Sequence, residues 1–340
     1  MWLVSKTPLG KNRNNFNLMR LLFASLVIVS HSYSFLGFAE PTIFGRSFGN
    51  FAVHCFFVLS GYLIAASWLN QNNSAIKYFE NRVLRIVPGL VVALVICHYI
   101  SIYFNNFVGN PIPYIVNGPV WTLTWEITCY VMVALLGMFY VLNKNSFPAV
   151  IVCTLFLYAY NYGSNTEFYM VILPFFICFM FGSFIYVMKD VIDLHKAIIP
   201  ASIVLLLCFN NDVFNYLIDV IKSNVLFLYG VSIDNGFVRQ FMYMLSIPFF
   251  LIYIGLYVDL RINVKTDISY GVYIYGWPAS QIIVFYAIKY SFSLTPTILT
   301  LLTFLVTGPV AYISWRLVEG PCLKLKGISF FLDKAYVKGG

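Results

Sequence analysis

Residues 49–70 read GNFAVHCFFVLSGYLIAASWLN, twenty-two residues without one Asp, Glu, Lys or Arg. At 1.5 Å per residue, about 20 apolar residues in a helix cross the ~30 Å hydrocarbon core of a bilayer. The stretch therefore predicts a membrane-spanning helix. Working outward, comparable runs fall at 16–37, 86–107, 119–142, 147–163, 168–189, 196–210, 238–258, 269–291 and 296–318. The predicted fold is all-α: a polytopic membrane helix bundle of about ten transmembrane helices.

Composition points the same way. Of 340 residues, 60% are hydrophobic and 10% charged, and the mean hydropathy is +0.81. Soluble domains run nearer 45–50% apolar and about 25% charged. So few charges cannot cover a water-facing exterior, so lipid must be the solvent for most of it. The first run, with its basic lead, could pass for a signal peptide. It is long enough to span and carries Arg20 and His31, so it reads as a retained first helix. Residues 211–237 read as the longest polar loop, with an apolar stretch from Asn224 to Ile233 that is too short to span and dips into the interface. The seven cysteines lie scattered, with neither CxxC nor metal-ligand spacing. They read as small buried hydrophobes, and neither a disulfide nor a metal is predicted. One transmembrane domain over 1–340 is expected, with no fused soluble domain.

The net charge of +8 raises nucleic acid as a partner. No basic, aromatic-interleaved soluble module supports it, and no nucleic acid is predicted. The cations orient the chain instead. With a cytoplasmic N-terminus and ten alternating helices, seventeen of the twenty-one Lys and Arg fall inside, leaving Arg46, Lys222, Arg239 and Lys289 outside. Acids split five outside and seven inside, with Glu126 within a helix. A skew in cations without one in acids is the positive-inside signature, and it places both termini in the cytoplasm.

Ionisable groups within spans are costly, and each needs a reason. On straight helices Arg20 sits roughly 6 Å in from the cytoplasmic end of the first helix and His31 about 22 Å in. Eleven residues make about three turns, so the two share a face. His54 falls about 8 Å, and Glu126 roughly 10 Å, below the outer surface. Arg82 and Arg85, three apart before Pro88, gather with Arg20 at the inner side. Inner guanidiniums suit a polyanion with phosphates, and an outer histidine with a carboxylate suits proton transfer at a hydroxyl. The plainer readings are a histidine that only hydrogen-bonds across helices and arginines that only set topology. Gly61 beside Ser60 reads as a close helix contact.

Several motifs, in order, resemble the acyltransferase-3 family of multispanning membrane acyltransferases. Asn17-Leu18-Met19-Arg20 followed by His31 resembles its Arg-x10-His first helix, and Phe56-Phe57-Val58-Leu59-Ser60-Gly61 its second. Arg82-x-x-Arg85-Ile86-x-Pro88 resembles its basic entry to helix three, and Gly118-Pro119-Val120-Trp121-Thr122-Leu123-Thr124-Trp125-Glu126 its Trp-Ser-Leu-x-x-Glu element. Ser269-Tyr270-Gly271-Val272-Tyr273 and Trp315-x-x-Val318-Glu319-x-Pro321 resemble its closing helices. Three positions depart from the pattern: Asn17 where Asp is common, Thr122 for Ser, and Gly276 where many members carry His before Trp277-Pro278.

The resemblance implies transfer of an acyl group, usually acetyl, from cytoplasmic acyl-CoA to a hydroxyl of a glycan or glycolipid such as lipopolysaccharide or other surface polysaccharide, in the plasma (bacterial inner) membrane. His31 is then the base or acyl carrier and Glu126 its catalytic companion. Arg20, Arg82 and Arg85 bind acyl-CoA, and His54, Ser60, Trp121 and Tyr273 are substrate-pocket candidates. No permanently bound cofactor is expected, acetyl-CoA being a donor substrate. A separate extracytoplasmic transferase is a further expected partner if the acyl group is relayed. The alternatives are a transporter of a polar solute, or a translocator feeding another transferase.

Overall fold

The structure, a computed structural model, describes residues 3–5, 7–9, 14–70, 74–163, 166–224, 234–262, 264 and 266–325. Among them a helix stands at each of the ten predicted runs: α1 Phe16–Phe35, α2 Phe48–Leu69, α3 Ala75–Tyr103, α4 Val120–Met138, α5 Phe147–Tyr160, α6 Leu173–Val187, α7 Leu194–Phe209, α9 Asn235–Tyr257, α10 Ser269–Lys289 and α11 Pro296–Ser314. A π-helical turn, Phe168–Ile172, leads into α6, and another, Trp315–Glu319, joins α11 to the short α12, Gly320–Lys324.

Among the described residues, seven helices are long and apolar enough to cross a membrane, eight if the bent pair after Asp193 counts as one span. The chain is a multi-pass, all-α membrane protein. α5, at 14 residues, is short, and α10, with Gly271, Gly276, Ser280 and Gln281 along it, is full length but less apolar.

Two boundaries differ from expectation. α3 begins eleven residues before the apolar run, so Arg82 and Arg85 lie within the helix. Its first turns are amphipathic: Tyr78 is buried edge-on to Trp68 at 5.2 Å while Phe79 is exposed, and such a stripe continues a helix that total hydropathy does not register. Residues 211–224 are not a loop but helix α8, Asn211–Asn224, turned 109° from α7. Val213, Phe214, Leu217, Ile218 and Ile221 recur at helical spacing there. Of the apolar stretch from Asn224 to Ile233, residues 225–233 lie outside the described residues.

Contacts group the chain into two compact units, each discontinuous in sequence. The first comprises Met1–Phe16, Thr42–Ala66 and Thr128–Asn263. Its seam is the crossing of α2 and α6, where a Cβ on Gly61 would stand 1.9 Å from the Phe179 carbonyl oxygen and one on Gly182 would stand 2.1 Å from that of Val58. The Ser183 hydroxyl donates to the Gly61 carbonyl at 3.0 Å. α7 and α6 both pack on α9. At the end of α9, strand β4 (Val258–Asp259) pairs antiparallel with β1 (Leu3–Val4), and the Asn15 amide donates to the carbonyls of Ile254 and Val258.

The second unit comprises Asn17–Pro41, Ser67–Ile127 and Val264–Gly340. Here α10 packs on α11 and α3. Gly271 lets α10 approach Ala311 closely, and Ser280 shares a 3.0 Å hydrogen bond with Thr303. The connection from α3 to α4 lies along α10: Asn110 and Asn117 donate to the carbonyls of Gln281 and Ile274, and Gln281 and Trp277 donate back to those of Ile112 and Ile115.

Candidate active site

The second unit holds most of the predicted site residues: Arg20, His31, Arg82, Arg85, Trp121, Glu126 and Tyr273. Two clusters stand about three turns apart along α1.

The first is ionic. Arg20 donates to Asp267 at 3.0 Å and Arg85 donates to the same Oδ2 at 2.5 Å. Asp267 is 11% exposed. Burial alone would raise its pKa, but Arg85, Arg20 and the Ser269 hydroxyl outweigh that and hold it well below the ordinary carboxylate range. Its place depends on Asn17, whose amide donates to the Val264 carbonyl at 3.0 Å and draws the loop before α10 against α1. The carboxylate missing at position 17 is thus supplied from the other end of the sequence. Arg82 faces differently from Arg85 and donates to Ser67 at 3.2 Å, at the end of α2.

Beside Arg85, Gly89 leaves room for Tyr270 and Glu319, and the Tyr270 hydroxyl donates to the Ile86 carbonyl at 3.2 Å. Glu319, 4% exposed, accepts from Ser314, which accepts in turn from Tyr275. Sequence reasoning assigned no role to Asp267 and used Glu319 only as a motif letter. A lone acid in a short polar loop carries no signal of a partner nearly 250 residues away.

The second cluster surrounds His31, half-buried, with its ring edge-on to Trp277 at 4.8 Å between centroids. Trp277 is fixed by its bond to the Ile115 carbonyl and by Phe35 at 4.7 Å, and it occupies space that a Cβ on Gly118 would fill. Among the described residues no hydrogen bond is made to the imidazole, whose nitrogens stay available for a reacting group. Gly276 has its own reason: a Cβ there would stand 2.8 Å from Ile28, one turn before His31. The volume of the missing side chain is filled from α1.

Glu126 lies on α4, about one turn after Thr122. Tyr273 is buried, and its hydroxyl engages Thr122 at 2.6 Å and the Pro119 carbonyl at 3.3 Å. Thr122 itself donates to Pro119 at 2.9 Å. The Tyr273 hydroxyl thus braces α10 against the start of α4, whereas Trp121 is 44% exposed.

His54 and Ser60 belong to the first unit. His54 is 2% exposed, with Nδ1 3.3 Å from the Cys178 sulfur and its ring against Phe175 and Tyr243. Ser60 stands at the seam beside Gly61.

The model of the family described as "Acyltransferase domain" matches residues 13–316. The chain is 27% identical to an O-acetyl transferase of Shigella phage Sf6 over 94% of its own length and 99% of the relative's. It is also 28% identical to nodulation protein 10 of Rhizobium leguminosarum bv. viciae, over 37% of this chain and 44% of that one. No solved structure matches. With a family match that runs from before Arg20 to beyond α11 and a full-length O-acetyl transferase relative, the chain belongs to the acyltransferase-3 family and is a membrane enzyme that transfers acyl groups.

Proposed function

We propose that the protein moves an acetyl group from cytoplasmic acetyl-CoA to a hydroxyl of a cell-surface or exported glycan, in the plasma (bacterial inner) membrane. The observation that carries this reading is the arrangement along α1: Arg20, tied with Arg85 through Asp267, and three turns on, His31 seated on Trp277. Three guanidiniums in one unit match the phosphates of CoA, since each offers a planar fork of donors. Eleven residues of helix correspond to about 16 Å, a span that a pantetheine arm bridges to bring its thioester to the imidazole.

His31 accepts the proton of the acceptor hydroxyl as the oxygen attacks the thioester carbonyl. The C–O bond forms, the C–S bond breaks, and the proton leaves on the sulfur of CoA. Glu126 orients the histidine or the acceptor. A variant in which His31 first carries the acetyl group and then releases it to the hydroxyl uses the same atoms.

His31→Ala is expected to abolish acetylation of surface glycan, read by mass spectrometry, with membrane abundance unchanged. Retained acetylation refutes the role. Purified protein in detergent should consume acetyl-CoA, which a solute transporter would not do. Reconstitution with a defined sugar, with and without cell extract, separates direct transfer from relay to a second transferase.

A further inference from the structure

The first unit contains a polar cleft of about 260 Å³ that none of this chemistry uses. Its walls include Arg46, Arg239, His54, Asn50, Tyr162 and Gln240. Resting on the function proposed above, we infer that this cleft binds an acidic group, a carboxylate or phosphate, carried by the acceptor glycan, and that it opens on the extracytoplasmic face.

The charge is the first argument. Arg46 and Arg239 are two of only four cations on the side that the positive-inside rule leaves poor in them. Among the described residues no carboxylate lies within 4.0 Å of either guanidinium. Arg46 donates to the Phe44 carbonyl at 3.3 Å and stands 4.2 Å over the Tyr243 ring, contacts that fix it but leave most of its five N–H donors free for a ligand. Asp234, five residues before Arg239, is occupied: it accepts from Tyr162 at 3.0 Å and from the Phe237 amide at 2.8 Å.

The construction is the second. Strands β2 (Thr42–Ile43) and β3 (Arg46–Ser47) form a hairpin whose two turn residues, Phe44 and Gly45, both have positive φ, 53° and 71°. This suits the tight two-residue turn, but the left-handed region is costly for a bulky aromatic. Phe44 is held there by Phe51, Phe209 and Tyr243. A Cβ on Gly45 would stand 2.8 Å from an Nη of Arg239. The hairpin thus sets Arg46 beside Arg239, while Asn50, Gln240 and Tyr162 supply neutral groups suited to sugar hydroxyls. Pockets for drug-sized ligands run about 300–1,000 Å³, so this one takes a single sugar unit rather than a chain.

The face follows from α9. Arg239 and Gln240 lie in its first two turns, and after 23 residues, about 34 Å, the helix ends at β4, paired with β1 of the N-terminal segment. The cleft is at the end opposite the N-terminus, hence extracytoplasmic when the N-terminus is cytoplasmic.

The test uses the purified full chain in detergent, titrated with a glucuronic acid oligosaccharide, its carboxyl-reduced counterpart, glucose 1-phosphate and glucose. Wild type should bind at least one acidic ligand tenfold or more tightly over its neutral counterpart, the acid preferred naming the source. Arg46→Gln and Arg239→Gln should each abolish that preference while acetyl-CoA consumption without acceptor stays unchanged. Equal affinity for acidic and neutral sugars, or a preference kept by both variants, overturns the proposal. So does phosphatidylglycerol retained by wild type and lost by the variants without preference among the sugars, which assigns the cleft to lipid. Absence of acetyl-CoA consumption in wild type with the acid preference intact defeats the catalytic reading and leaves the cleft standing.

Discussion

Replacing Asp267 by Asn removes one charge and almost no volume from a site where two guanidiniums share a single oxygen. Their bonded nitrogens lie 3.0 and 2.5 Å from that atom, so they stand within about 5.5 Å of one another. At an effective dielectric of about 20, two unit charges at about 5.5 Å repel by about 3 kcal/mol, a repulsion present in both proteins that the Asp267 carboxylate offsets only in wild type. That is also the lower end of the cost of breaking a buried ion pair, and it suits side chains that keep 17% and 29% exposure. The variant should therefore unfold on heating with about 3 kcal/mol less stability, while any phosphate ligand of the pair becomes more valuable to it. If CoA recovers half of the repulsion, it stabilises the variant by about 1.5 kcal/mol more than it does wild type, roughly tenfold in apparent affinity. The assay is thermal unfolding of both proteins in detergent against CoA concentration. An equal or smaller shift in the variant would show that the phosphates do not meet Arg20 and Arg85, and the donor-site reasoning would fail.

Four further outcomes are expected. Because the folded pKa of Asp267 is depressed, the stability it adds is complete above its unfolded value of about 3.9 and is lost as pH falls below it. The gap between wild type and Asp267→Asn in acid titration should hold flat near neutrality and close only below about pH 4. Gly61→Ala places a methyl 1.9 Å from a backbone oxygen that cannot yield, so it should cost at least the ~3 kcal/mol of severe overpacking and show as loss of monodisperse protein. Gly276→His should be poorly folded alone and recovered by Ile28→Ala, which opens the space, as read by yield and acetyl transfer. Tyr273→Phe should lose about 1 kcal/mol of stability and leave transfer within threefold of wild type; a larger loss of rate would place its hydroxyl on substrate.

Hydropathy located the helices well because a span must be long and apolar whatever its partners, and each of the ten predicted runs is helical. It failed where a helix need not be apolar throughout. In α8 the polar Asn211, Asp212, Asn215, Asp219 and Lys222 dilute a stripe that only its period reveals, and at the start of α3 the same dilution hid eleven residues of helix. Within the site, eleven-residue spacing put Arg20 and His31 on one face, and the structure packs both against protein: Asp267 for the one, Trp277 for the other. Asp267 itself was not legible, nor was the reason for Gly276. Both depend on segments brought against α1 from α10 and the loop before it, a proximity that no local pattern encodes.

The glycine crossing of α2 and α6 has a mechanical consequence. Each backbone there is notched into the other, Gly61 on the Phe179 carbonyl and Gly182 on that of Val58, so sliding by even one residue drives a side chain into a main-chain oxygen. Interlocked in both directions, the two helices must travel as a single beam. Any opening that admits or releases substrate has to bend at other places, and the helices interrupted by proline, α3 at Pro88, α7 at Pro200, α9 at Pro248, α10 at Pro278 and α11 at Pro309, are where such a joint can form.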